Sequence, residues 1–207
     1  YGAAFLALAC QWFWARWYAA GLAWSGASLG LVSLVMVGWQ PILAVYCGLH
    51  VVVLAMLAGP HMVARFEMQT RWRERYAMDE FAVARLRRVV TRASAALPSL
   101  IVWALAPREG QGLGVLSGLA MVSALAGLAG ILRLRTWGAL SLGASAGLTL
   151  AGLAALTSPS LGAVEGWGGV WLGSANLGLA ALFAAALLLG AVAPVARAIG
   201  RAWRSSP

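Results

Sequence analysis

Few residues of this chain could hold a metal or act as nucleophile and base: two cysteines, Cys10 and Cys47, and two histidines, His50 and His61. Cys47 and His50 are three positions apart, so a helix would bring them to one face as half of a metal site. Only Cys10 or His61 could complete the set, and a partly buried Cys and His whose polar atoms are satisfied locally are far commoner than a ligand pair. We therefore predict no metal site and no catalytic residue.

Cofactor chemistry is limited by the same residue types. His50 and His61 would lie on nearly the same face of a continuous helix, about 16 Å apart along its axis, so they cannot bind the two faces of one haem. The chain contains no lysine, which excludes a Schiff base with retinal or pyridoxal phosphate. We expect no cofactor and no enzymatic activity.

The segments that would position any such site are long and apolar. The chain is 62% hydrophobic and 10% charged, which is the composition of a membrane protein. A helix needs about 20 apolar residues to cross a bilayer. Such stretches, one of them short, occupy residues 18–38, 40–59, 93–106, 113–132, 137–156 and 175–193. We predict an all-α, polytopic transmembrane helix bundle of about six spans, forming one domain over residues 1–207. Residues 1–17 form either an interfacial helix, as their tryptophans favour, or the end of an extra span.

The arginines predict the orientation of these spans. Segment 60–92 contains eight of them, and basic segments stay on the cytoplasmic side. With six spans, the remaining basic positions of the same side are Arg16, Arg133, Arg135, Arg197, Arg201 and Arg204. The breaks on the other side carry Arg108 and Glu165. We predict that both ends and segment 60–92 are cytoplasmic, in the inner membrane of a bacterium.

Segment 60–92 is expected to be partly helical. Apolar residues recur at steps of three and four from Met78 to Leu100, which predicts one helix that runs from this segment into the third span. Asp79 and Glu80 stand where a helix N-terminus favours acidic residues. The third helix is therefore predicted to extend beyond its apolar part.

The same segment is the predicted docking surface. Eight arginines against four acidic residues leave it at net +4, and large apolar residues lie between them. Such a mixture is typical of binding hot spots and also of membrane surfaces. We expect other subunits of a membrane complex or anionic lipid, and no nucleic acid, to bind there, with the number of aromatic residues favouring a protein. The predicted binding residues are Arg65, Phe66, Arg71, Trp72, Arg73, Arg75, Tyr76, Phe81, Arg85, Arg88 and Arg92.

Small residues predict where helices pack, because close backbone approach stabilises helix pairs in lipid. The fifth span has a row at four-residue steps: Ala139, Gly143, Gly147, Ala151 and Ala155. The first span offers Gly26 and Gly30, and the fourth offers Gly114 and Gly118. We expect the five-residue row to form a tight seam within the chain, so that leucine at Gly147 would destabilise the fold.

Two classes of function are compatible with these features. The first is a non-catalytic subunit or scaffold of a membrane complex that docks partners or lipid through segment 60–92. The second is a small-solute transporter or channel subunit, with a path along the Ser, Gly and Thr faces of the first, fourth and fifth spans. None of the predicted spans contains an acidic residue, whereas ion-coupled transporters usually keep acids there. This favours the first class.

The predicted orientation can be tested with a topology reporter. A reporter inserted after Gly166 should be non-cytoplasmic, because that position lies between the fifth and sixth predicted spans. One fused after Arg204 should be cytoplasmic. A cytoplasmic signal at Gly166 would overturn the orientation.

Overall fold

The structure is a computed structural model that describes residues 1–105, 111–156 and 174–205, except for the side chains of residues 111–113, 155–156, 174–177 and 198–205. These ranges are helical almost throughout. The helices are α1 (Gly2–Ala9), α2 (Ala15–Val37), α3 (Pro41–Ala58), α4 (Pro60–Glu67), α5 (Thr70–Arg75), α6 (Glu80–Leu105), α7 (Gln111–Leu132), α8 (Trp137–Leu156) and α9 (Ser174–Ser205).

Six of the described helices are long and apolar enough to cross a membrane: Ala15–Val37, Pro41–Ala58, Glu80–Leu105, Gly114–Leu132, Trp137–Ala154 and Gly178–Arg197. The predicted all-α class is confirmed over the described residues, and so is the number of helices able to span a membrane, whereas their insertion stays a prediction. The side of the membrane on which each end lies stays a prediction. The predicted outer positions Arg108 and Glu165 lie outside the described residues.

The breaks between the first helices follow from glycine and proline. Gly38 ends α2 with φ 89°, a conformation that other residues rarely adopt, and Pro41 opens α3. Gly59 is extended and Pro60 opens α4, so α3 ends there and a new helix begins. The premise of a continuous helix from His50 to His61 is therefore wrong: the two histidines belong to different helices.

Residues 1–14 form a short helix and a turn ahead of α2, and residues 15–17 are its first turn. Gln11 adopts φ 53° after α1, and the amide of Trp12 donates to the carbonyl of Ala7 at 3.0 Å. Ala4 and Ala7 of α1 are buried. The alternatives of an interfacial helix and the end of an extra span both stay predictions.

The helix that leads out of the arginine-rich segment begins where the acidic residues predicted it. The Asp79 carboxylate accepts a hydrogen bond from the amide of Ala82 at 2.6 Å and so caps α6. Along the predicted stripe, Val89, Ala93 and Leu100 are buried. The prediction of a third helix longer than its apolar part is confirmed.

Contacts along the chain define two compact units, Tyr1–Ala95 and Ala96–Pro207, with the boundary inside α6. In the first unit, α2 packs through its glycines. A Cβ at Gly26 would overlap the His50 ring, and one at Gly30 would lie 2.9 Å from Cys47 Cβ. The prediction that these two glycines mark a packed face is confirmed. Gly21 does the same against α6, where a Cβ would overlap the Ser94 hydroxyl.

In the second unit, α7 and α8 form an antiparallel hairpin. Contacts join Gly130 to Gly138 and Gly127 to Leu142, and the Ser145 hydroxyl donates to the carbonyl of Ala120 at 2.7 Å. The intervening turn contains Leu134 at φ 57°. Further along α8, Gly152 lies under the buried Trp103 ring, which a Cβ would approach to 2.5 Å.

The packed face of α8 is not the predicted row of small residues. A Cβ at Gly143 or Gly147 would meet no atom of the described chain within 4 Å, and Ala151 is exposed. Only Ala139 of the row is buried, while the side chain of Ala155 lies outside the described residues. The expected seam within the chain is therefore not formed at Gly143, Gly147 or Ala151. The reason is that Leu142, 1% exposed, fills the space above Gly127 on the neighbouring helix. A close contact needs a small residue on one helix only.

This correction yields a matched pair of substitutions within α8. Gly138→Ala places a methyl group 2.5 Å from the backbone nitrogen of Ile131, and backbone cannot move aside cheaply. We expect it to lower the free energy of unfolding by about 1–3 kcal/mol. Gly147→Ala adds the same methyl group in open space and should leave stability unchanged or slightly raised.

Apparent melting temperatures in mild detergent measure both variants. Equal losses for Gly138→Ala and Gly147→Ala would show that Gly147 is packed after all and would restore the predicted row.

Candidate docking surface

A buried carboxylate anchors the arginine-rich segment to the rest of the first unit. Glu67, at the end of α4, is 7% exposed. It forms a salt bridge with Arg16, accepts a hydrogen bond from the indole of Trp17 at 2.8 Å, and pairs with Arg87 at 3.2 Å. Arg16 also donates to the carbonyl of Leu57 at 2.7 Å. One carboxylate therefore joins α2, α4 and α6, and Arg16 adds the end of α3.

Aromatic packing holds the next helix, α5, against the chain that enters α2. The rings of Phe13 and Trp72 are stacked, with centroids 4.7 Å apart and planes at 22°. Trp17 contacts Trp72 edge-on at 6.1 Å, and Tyr76 lies 6.0 Å from Phe13. Such pairs stabilise by about 0.5–1.5 kcal/mol beyond the area that they bury. The segment between α3 and α6 is thus held against residues 13–17 at two points, by Glu67 in α4 and by Trp72 in α5.

The predicted arginines mostly point away from this core. Those that are exposed are Arg65, Arg71, Arg75, Arg85, Arg88 and Arg92. Arg85, Arg88 and Arg92 share one face of α6, as their spacing predicts. Arg73 is partly exposed, and its guanidinium carbon lies 5.7 Å from the centre of the Trp72 ring. We call the surface formed by residues 62–92 and these arginines the docking surface.

The predicted aromatic anchors divide into two groups. Phe66 is 2% exposed in a cluster with Ala7 and Ala15, and Trp72 is 7% exposed. Their prediction as accessible anchors is therefore wrong, because both are used to fold the segment onto α1 and α2. Tyr76 and Phe81 remain exposed, and Phe81 is the more exposed at 78%.

Two N–H groups at the base of the docking surface are buried and have no hydrogen-bond partner among the described residues. They are the indole Nε1 of Trp72 and the Nε of Arg73. The two residues are adjacent in α5, and the Arg73 guanidinium carbon lies over the Trp72 ring. Neither residue type can accept a hydrogen bond at these atoms.

The other group of potentially reactive residues is occupied by local contacts. The His50 ring nitrogens lie 2.7 Å from the Tyr1 hydroxyl and 2.8 Å from the carbonyl of Tyr46. The Cys47 thiol donates to the carbonyl of Ala27 at 3.4 Å. The polar atoms of both side chains therefore have hydrogen-bond partners within the chain, as the sequence favours over a metal site.

Sequence reasoning missed Glu67 as the organising residue. The sequence does indicate the pairing of Arg16 with Glu67. Arg16 is the only Asp, Glu, Lys or Arg among the first 64 residues, and Glu67 is the first acid in the chain. A lone arginine in an apolar region requires an anionic partner.

Comparisons of this chain with protein-family models, with curated proteins and with solved structures find no match.

The Glu67 network predicts unequal effects from two substitutions. Glu67→Gln leaves the part-buried Arg16 without its counter-charge and should lower the free energy of unfolding by about 3 kcal/mol. Arg87→Gln should cost about 1 kcal/mol or less, because the Arg87 side chain is 50% exposed. Apparent melting temperatures in detergent check the order. Similar shifts for both variants would show that Glu67 is not the anchor.

Proposed function

We propose that this protein is a non-catalytic integral membrane subunit or scaffold of a membrane protein complex, located in the bacterial inner membrane. Its docking surface faces the cytoplasm and binds partner subunits or anionic lipid. The observation that carries the proposal is that the arginine-rich segment is folded and fastened to α2, with arginines left exposed on its outside.

A segment that only sets topology has no need of such a fold. The positive-inside effect depends on the number of basic residues near the span ends, and an irregular loop supplies them equally well. Here Glu67, Phe66 and Trp72 are buried to hold α4 and α5 in place. A preorganised surface loses less conformational entropy when a partner binds, so affinity is gained without further contacts.

Charge and an apolar anchor give the surface two complementary properties. Exposed arginines attract acidic groups, although salt screens exposed charges beyond roughly 8–10 Å. Lasting contact therefore needs apolar burial, and Phe81 and Met68 are exposed at 78% and 64%. A large exposed aromatic residue among arginines is the usual composition of an interface hot spot.

The transporter or channel alternative receives less support from the hydroxyl groups of the fourth and fifth spans, which would line part of its path. The Ser117 and Thr149 hydroxyls donate to carbonyls of their own helices at 3.1 and 2.7 Å, and Ser145 donates across to Ala120. All three residues are buried between packed helices. A hydroxyl used in this way contributes little to solvating a passing solute.

The proposal predicts different results for two exposed phenylalanines. A photo-crosslinking amino acid at the exposed position Met68 should capture a defined partner subunit in native membranes. Phe81→Ala should reduce that capture by about tenfold or more, because truncation of a hot-spot residue costs about 2 kcal/mol or more. Phe5→Ala is the matched control, since Phe5 on α1 is 72% exposed and lies outside the surface.

The same partner should be captured with wild type and with Phe5→Ala. Equal capture by both alanine variants, with unchanged expression and melting temperature, would contradict protein docking at this surface.

A further inference from the structure

The buried donors of Trp72 and Arg73 indicate a ligand of the docking surface. The Trp72 side chain is more than nine-tenths buried, yet its Nε1–H has no acceptor in the part of the chain that the structure describes. The adjacent Arg73 Nε–H is in the same condition. Native proteins rarely leave two neighbouring buried donors without an acceptor, because each loses its bond to water.

The donors specify the chemistry of that acceptor. Both can only donate, and one carries a positive charge. Exposed Arg71 and Arg75 lie on the same short helix, against a single acid, the exposed Glu74. An oxyanion satisfies both N–H groups, and a phosphate offers several acceptor oxygens in the geometry that a guanidinium prefers.

The position of Trp72 selects the source of the phosphate. Trp72 stacks on Phe13 and contacts Trp17 edge-on, and these two residues flank the start of α2 at Ala15. Since α2 is one of the helices able to cross a membrane, the donor pair lies level with the end of an apolar span. Phospholipid headgroups occupy that level, and tryptophan is enriched there.

We propose that Trp72 and Arg73 form a binding site for the phosphate of an anionic phospholipid. The inference rests on the proposed function, because it names the occupant of one part of the docking surface. Arg73 is partly exposed, so its side chain rotates outward to admit a phosphate oxygen that accepts from both N–H groups. Arg71 and Arg75 attract the net negative headgroup.

The lipid is favoured over a protein because of what the fold has already buried. Phe66 and Trp72, which would anchor a protein, are enclosed within the first unit. What remains exposed beside the donor pair is charge and the half-exposed Tyr76 ring, at headgroup depth, where amphipathic aromatic rings are also found. Phe81, the exposed anchor for a protein, lies on α6 instead.

Native mass spectrometry of the purified full chain in mild detergent tests the site, with phosphatidylglycerol as probe and phosphatidylcholine as reference. Trp72→Phe keeps an aromatic ring against Phe13 and removes the N–H group. Arg73→Lys keeps the charge and removes the Nε donor. Each should weaken phosphatidylglycerol binding about tenfold relative to phosphatidylcholine, the effect expected of a lost hydrogen bond to a charged group.

Matched controls separate this site from general charge. Arg133→Lys changes an exposed arginine directly after α7, outside the docking surface, and Trp137→Phe changes a half-exposed tryptophan at the start of α8. Both should bind phosphatidylglycerol as wild type does. If Trp72→Phe alters the melting temperature, Arg73→Lys decides the result alone.

Three outcomes would overturn the proposal. Wild-type binding by Arg73→Lys would mean that water alone satisfies the donors. Displacement of phosphatidylglycerol by millimolar inorganic phosphate would assign the site to soluble phosphate compounds. If Trp72→Phe or Arg73→Lys no longer captured the partner at Met68 but still bound lipid, the donors would be assigned to a protein carboxylate. Because Phe81→Ala leaves these donors unchanged, failure of protein docking and failure of lipid binding are distinguishable.

Discussion

A single carboxylate determines how the first half of this protein is assembled. The Glu67 carboxylate accepts hydrogen bonds from Arg16, Trp17 and Arg87. Arg16 also donates to the carbonyl of Leu57 at the end of α3. Four helices therefore meet at one network of charge-assisted hydrogen bonds, which are stronger than neutral ones. The burial of Phe66 beside Glu67, the stacking of Trp72 on Phe13 and the outward direction of the arginines all depend on α4 being held in this place.

The sequence predicted the features that depend on residue type and spacing alone. Length and apolarity set the six long helices, because the bilayer requirement acts on each stretch separately. Periodicity and two acids predicted where α6 begins, and Asp79 caps it. Gly26 and Gly30 marked a packed face because the groups opposite them, the His50 ring and the Cys47 side chain, need the space that a Cβ would take.

What sequence alone could not supply was the identity of each opposing surface. The row from Ala139 to Ala151 looked like a seam because its members are small, but packing depends on what lies opposite, and Leu142 over Gly127 fills the contact one position away. The sequence predicts Trp72 as a binding residue of the arginine-rich segment, although Phe13, far away in sequence, stacks on it. Glu67 was grouped with the other acids because its partners are 20 to 51 positions distant.

The turn at Leu134 has a consequence for how the chain folds. It closes α7 onto α8 through contacts between residues only 8 to 25 positions apart, from Gly130 with Gly138 to Ala120 with Ser145. Low contact order favours fast folding, since little loop entropy is lost before contacts form. This hairpin can therefore assemble as soon as α8 has been synthesised. The Glu67 network joins residues up to 51 positions apart. During synthesis, Arg16 must therefore stay solvated until the chain has been made as far as Glu67.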